Sequence, residues 1–200
     1  TVTMAVAADG RLSGTIPGQS KGIKVQFYIQ ATDTLGATSL FPHLGPDSRA
    51  LYQLQDGQAG SSKLHSFRII QATSDVNFQS ESINAYSNDR LGGTVIFDES
   101  EVYYDVGVRL KGAGGRAGAS HGYNIRFHTD HLYLGVHRTI AVDRNGMHEM
   151  LIKHMNSHAG GIPSMYNDAV HLIAPYSGAT GVGMLRLAGF GDGYLDSQFP

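Results

Sequence analysis

The chain of 200 residues carries 15 Lys and Arg against 17 Asp and Glu, with 41% hydrophobic and 16% charged residues. That balance suits one good-sized domain, or one with a smaller companion, and excludes a disordered chain. A net charge of −2 argues against a nucleic-acid binder working by bulk electrostatics, and no apolar run reaches the roughly 18 residues a spanning helix needs, so no membrane insertion is expected.

The 26 glycines point to many turns and short strands rather than a helical bundle. Residues 1–56 read as all-β. "TVTMAVAADGRLSGTIP" alternates apolar and polar residues around Asp9-Gly10, a strong hairpin signal. A strand is expected over Ile23–Ala31, a turn over Asp33–Gly36, a second strand ending before Pro42, and a short closing strand in "ALYQL". Four or five strands at this spacing suit half of a sandwich, and the uncovered face predicts further strands ahead of Thr1 in a longer protein.

Residues 57–63 lie in a polar Gly/Ser-rich stretch and read as a linker. From 64 to 200 the pattern is again β-rich. "LHSFRIIQA" reads as a strand, and "TSDVNFQSESINAYS" can hold a short helix behind a Ser/Asp cap. A hairpin comes next: Thr94–Phe97, a turn over Asp98–Ser100, then Val102–Lys111. Further strands are expected over Tyr123–His128 and Arg138–Val142. The best helix runs Met147–His158, where Met147, Met150, Leu151, His154, Met155 and His158 recur near helical spacing, and Gly160-Gly161 with Pro163 ends it. Met147, Met150 and Met155 are expected to pack that helix onto the sheet. "MYNDAVHLIAP" and "GVGMLRLAGF" read as strands pairing across "YSGAT", and "GDGYLDSQF" begins a helix.

Between two of these strands runs "RLKGAGGRAGASHGYNIRF". Glycines let backbone N–H groups approach an anion, and Lys111 and Arg116 can neutralise phosphate oxygens. No Gly-Lys-Ser/Thr is present after it and no helix adds its dipole, so this is not a Walker loop. Two readings stay open: a loop that covers phosphates, and a mobile hairpin tip.

"EVYYDVGVRLKGAGGR", followed by "GYNIRF", "GVHRTIAVDRN", the helix, "GIPSMYNDAVHLIAP" and "LDSQF", resembles the amino-terminal part of the spore coat protein H (CotH) kinase family over about residues 64–199. Residues 1–56 resemble the immunoglobulin-like modules that precede such domains in large secreted bacterial proteins. The resemblance implies an atypical kinase-like fold, so the fold class expected is α+β, mainly antiparallel. A partial β-sandwich module would precede a kinase-small-lobe-like sheet with one principal helix. It implies Arg109, Lys111, Arg116 and Arg126 as nucleotide phosphate ligands, with Glu149 of the helix pairing Arg126; Asn124 stands where many members carry a basic residue. It further implies a secreted or cell-surface location. The family's catalytic acids lie in a carboxy-terminal lobe beyond Phe199, so no catalytic residue is assigned and the chain is expected to be an incomplete piece. ATP with Mg²⁺ or Mn²⁺ is then the cofactor of the full-length protein and none is held by this chain. The expected partners are the remainder of a longer chain or other protein subunits. The function expected is that of an extracellular structural or interaction fragment. The alternatives are an atypical protein kinase acting only in a longer chain and a carbohydrate- or matrix-binding module.

With no cysteine, any metal site would fall to ten histidines and the carboxylates. His154 and His158 stand one helical turn apart and His128 and His131 flank Thr129-Asp130, but the more economical reading is surface or half-buried structural histidine. His148-Glu149 is not followed by the second histidine of a metalloprotease helix, since Ile152 stands there. Asp33, Asp98, Glu99 and Glu101 sit in or beside turns, where carboxylates bond their own backbone.

Overall fold

A computed structural model describes residues 1–54, 56–112, 116, 121–144, 146–160 and 166–187. The glycine-rich residues 113–115 and 117–120, the expected helix stop at Gly161 and Pro163, and the expected helix in "GDGYLDSQF" lie outside the described residues.

The amino-terminal segment pairs into three separate two-stranded ladders: β1 (Ala5–Val6) with β2 (Leu12–Ser13), β3 (Lys24–Gln26) with β6 (Leu51–Gln53), and β4 (Ile29–Thr32) with β5 (Thr38–Phe41). The turn at Asp33 forms as expected: its Oδ1 accepts from the N–H groups of Leu35 and Ala37, and Gly36 takes a φ of +88°. The single strand expected over Ile23–Ala31 breaks at Phe27-Tyr28. There the Phe27 N–H bonds Ala50, and its ring packs edge-on to Tyr104, 5.4 Å away. β6 ties this segment to the rest of the chain, because the Leu51 N–H donates to Thr94 Oγ1, which itself donates to the Arg49 carbonyl, both at 2.8 Å.

The remainder is a closed barrel of seven strands: β7 (His65–Ile70), β8 (Leu91–Phe97), β9 (Glu101–Lys111), β10 (Gly122–Arg126), β11 (Thr139–Arg144), β12 (Asn167–Ile173) and β13 (Gly181–Arg186). Two α-helices are present among the described residues, α1 (Thr73–Ser80) and α2 (Met147–His158). The fold is thus α+β and mostly antiparallel, and the expected kinase-small-lobe-like sheet with one principal helix is not what forms. After α2 the chain returns as β12, which pairs in parallel with β7 (Val170 opposite His65), while β13 runs antiparallel between β11 and β12. With β9 and β10 also paired, no edge of the sheet is left open.

Alternation along each strand turns one apolar set inward, and a barrel this small is filled by its own side chains. Phe67, Ile69, Val95, Val108, Tyr123, Ile125, Val142 and Leu172 are all at most 2% exposed. Tyr133, from the β10–β11 connection, closes one end among Phe67, Phe97, Tyr103 and Phe127, with ring centroids 5.4 to 5.8 Å away. Ala85, from the β7–β8 connection, closes the opposite end, and Gln79 Nε2 of α1 donates to the Val108 carbonyl at 2.9 Å.

α2 lies outside the barrel. Gly146 opens it against β13, where a Cβ would stand 2.6 Å from Met184 Cβ. Yet no residue of α2 is buried, and Leu151, Ile152 and Met155 are 57 to 60% exposed. The methionine packing expected from the sequence is therefore corrected at Met155, which faces outward; an ion pair from Glu149 to Arg186 of β13 holds the helix instead.

Candidate functional site

Four guanidinium groups gather over β8, β9 and β10 on the outer surface of the barrel. Arg109 projects from β9, Arg126 from β10, Arg116 from the connection between them, and Arg90 from the segment entering β8. Register brings the first pair close: Asn124 faces Arg109, and Arg126 faces Gly107. Glycine at 107 is what admits Arg90, since a Cβ there would lie 3.0 Å from Arg90 Cδ and 3.2 Å from its Cβ. The stem of Arg90 therefore lies flat on the strand, and its fork reaches Asn124. Nη1 donates to the Asn124 carbonyl at 3.0 Å and Nη2 to its Oδ1 at 2.5 Å.

Asn88 anchors two more. Its Oδ1 accepts from Arg109 Nη1 at 2.6 Å and from Arg116 Nη2 at 3.1 Å. Arg116 otherwise folds back on backbone carbonyls, donating to Tyr86 (3.1 Å), Ser87 (2.9 Å) and Gly112 (2.5 Å). The Arg126 side chain is exposed and makes no hydrogen bond or ion pair among the described residues. Every partner of this quartet is neutral: no carboxylate of the described residues lies within 4.0 Å of any of the four. Burial, and then the charges of Arg109 and Arg126, hold Arg90 below the ordinary arginine range.

Lys111 and Glu149 belong to a different construction. Lys111 Nζ reaches both oxygens of Asp143 at 2.7 Å. Arg186 Nε stands 2.8 Å from Asp143 Oδ2, close enough for charge attraction but without hydrogen-bond alignment. Its Nη2 donates to Glu149 Oε2 at 2.6 Å, and Lys153 Nζ lies 2.6 Å from Glu149 Oε1. Lys153 ends the chain on Asn167 Oδ1 at 3.4 Å. Five alternating charges thus link β9, β11, β13 and α2, each side chain 15 to 39% exposed. Burial alone would raise the Glu149 carboxyl, but the Lys153 bond and the charges of Arg186, Lys153 and Lys111 outweigh it and hold it below the usual range. The expected partner of Glu149, Arg126, is replaced by Arg186 and Lys153.

Of the residues the sequence pointed to, Arg109, Arg116 and Arg126 share one face, while Lys111 and Glu149 serve the charge chain. Arg90, Asn88, Asp143 and Arg186 were missed, because their partners lie at least twenty residues away in the chain and only the tertiary fold brings them together. Arg90 in effect supplies the cation at the Asn124 position. Beside the quartet a crevice lined by Phe78, Gln79, Asn84, Ser87, Asp89 and Arg109 has a cavity volume near 10 Å³, room for about one water. Among the described residues no group of three His, Asp or Glu side chains is placed to hold a metal ion. Compared with known proteins, the chain matches no family model and no curated protein.

Proposed function

We propose that the chain is an interaction module, related to the CotH family and working outside the cell, that grips an anionic group of its partner through Arg90, Arg109, Arg116 and Arg126. The observation that carries this reading is the quartet itself: four guanidiniums on one face with neutral partners only. Arginine stays charged at any working pH, so clustering without counter-charge costs repulsion that a bound anion relieves. The planar forks suit phosphate or carboxylate, which they meet bidentately. Support for an anion as the bound group comes from the absence of any carboxylate within 4.0 Å of the four guanidiniums among the described residues. The family relation and the extracellular setting rest on the "VGVRLKG" and "YNIRF" resemblance.

A second reading, the nucleotide lobe of a kinase completed by a longer chain and using ATP with Mg²⁺ or Mn²⁺, is favoured by one contact. A helix acid, Glu149, pairs with a strand cation, Arg186, at 2.6 Å, which is the kind of pair kinases use to order their phosphate-binding side chains.

Titration of residues 1–200 with inorganic pyrophosphate, and with ATP with and without Mg²⁺, tests both. The module reading expects metal-independent binding of either anion, screened by salt, that Arg126→Ala weakens about 10- to 100-fold, the worth of a charge-assisted bond. Binding of ATP alone, and only with Mg²⁺, favours the kinase lobe. Absence of binding at millimolar anion, or binding indifferent to Arg126→Ala, overturns the quartet as a site.

A further inference from the structure

On the carboxy-terminal turn of α2, His154 and His158 stand on the same face with ring centroids 4.3 Å apart. Both are exposed, and no carboxylate lies within 4.0 Å of either imidazole among the described residues. The tautomer of His158 is set by its surroundings. Its Nδ1 lies 2.8 Å from the His154 carbonyl, an acceptor only, and 3.1 Å from Ser157 Oγ. Ser157 Oγ already donates to that same carbonyl at 2.8 Å. Nδ1 therefore carries the proton and donates it to the carbonyl, which leaves the Nε2 lone pair facing outward. A metal-binding histidine is prepared in the same way: the ring nitrogen away from the ion donates to a backbone carbonyl, fixing the ring and making the other nitrogen more basic.

We propose that His154 and His158 form a two-imidazole site for a borderline divalent d-block ion such as Zn²⁺ or Ni²⁺. A tetrahedral ion holding nitrogens at about 2.0–2.1 Å sets them roughly 3.3 Å apart, and ring centroids 4.3 Å apart bring both imidazoles within reach of one ion. The place on the helix helps as well. The last carbonyls of α2 present the negative end of its dipole, which favours a cation there and disfavours one at the opposite end. His148, six residues before His154 and near that opposite end, does not share the face. Two protein ligands leave the rest of the coordination sphere to water or to a ligand atom of a partner. The site therefore takes an exchangeable ion that can bridge to a second molecule, not one that holds the fold together. The arginine quartet plays no part in it.

Calorimetric titration of the tag-free 200-residue chain with Zn²⁺, and separately with Ni²⁺, tests the site against His154→Gln, His158→Gln and His148→Gln. The expected result is one ion bound per chain, weakened at least about tenfold by either member of the pair and unchanged by His148→Gln. Circular dichroism checks that each variant keeps its helix, and because all three side chains are exposed a folded protein is expected throughout. A variant that loses helix is replaced by His→Asn at the same position. Absence of binding, binding unaffected by both pair variants, or equal weakening by His148→Gln overturns the proposal; the last two would mean dispersed capture by the ten histidines.

Discussion

Asp56→Asn tests how the segment before β7 is fastened to the barrel. Arg68 of β7 is only 5% exposed in its side chain, and Asp56 meets it with two bonds, 2.7 Å to Nη1 and 3.1 Å to Nη2. Glu99, 40% exposed, accepts from Arg68 Nε at 2.8 Å. Burial works against the Arg68 charge, but the Asp56 and Glu99 bonds outweigh it and leave its pKa raised. Breaking a buried ion pair from one side costs about 3–5 kcal/mol, because the other charge stays buried. The exposed Glu99 recovers little of that, and the Asn carbonyl can still accept one bond, so a loss of about 2–3 kcal/mol is expected. For a chain of this size that lowers Tm by about 4–12 °C. The acid dependence is the sharper measure. Burial alone would raise the Asp56 carboxyl, but the bonds from Arg68 hold it below its ordinary value of 3.8. A carboxyl depressed in the folded state stabilises fully above its unfolded pKa and loses that contribution as pH falls through the folded one. Denaturant melts of the two proteins should therefore differ by a constant amount at neutral pH and converge below about pH 4. A difference under about 0.5 kcal/mol at pH 7, or one that persists unchanged into acid, would refute the reasoning.

Two neighbouring tyrosines at one end of the barrel, Tyr133 and Tyr103, are expected to respond oppositely to loss of the hydroxyl. Tyr133 OH is buried with no hydrogen-bond partner among the described residues, so Tyr133→Phe should be neutral or stabilising by up to about 1 kcal/mol in a denaturant melt. Tyr103 OH donates to Glu101 Oε1 and accepts from the Leu134 N–H at 3.1 Å, so Tyr103→Phe should cost about 1–2 kcal/mol. Burial and then Glu101 push the Tyr103 phenol up to about 12, so an alkaline absorbance titration should show one tyrosinate step near that pH disappear in Tyr103→Phe. Gly107→Ala places a methyl against the Arg90 stem, and pyrophosphate binding should weaken at least a few-fold while Tm moves by a few degrees; unchanged affinity would mean that Arg90 is not part of the grip.

Sequence signals are legible where the structure is local. α2 spans Met147–His158 as its apolar spacing predicts, and the hairpin of β8 and β9 turns at Asp98-Glu99, both at positive φ, inside the expected turn. Turn chemistry alone would have Asp98 and Glu99 bond their own backbone. Asp98 Oδ1 instead accepts from the Ser66 N–H and Glu99 reaches Arg68, partners more than thirty residues away. Barrel closure leaves no local mark, because the parallel pairing of β12 with β7 depends on where a crossover sets the chain down. The candidate site divides the same way. Arg109, Arg116 and Arg126 lie within one strand–loop–strand motif and are legible. Arg90 enters from another connection and leaves no sign of its role, whereas the true partners of Glu149 include Lys153 one helical turn on, a spacing any helix reading offers.

The seam between β12 and β7 joins His65 to Val170, roughly a hundred positions apart, in a chain whose other barrel pairings are mostly between near neighbours. Loop-closure entropy over such a span has to be met before any of its hydrogen bonds form, so the seam is expected to zip last and to set the pace of refolding. Until it does, β7 and β12 each carry a row of unpaired amides and carbonyls, and before β12 and β13 are made the open edges are β7 and β11. During synthesis that condition lasts until residues 167–186 have emerged, and a product that stops short of Asn167 keeps it permanently. Such a species carries two strand edges free to pair with another molecule, so the hairpin of β12 and β13 guards the protein against self-association as well as closing the barrel.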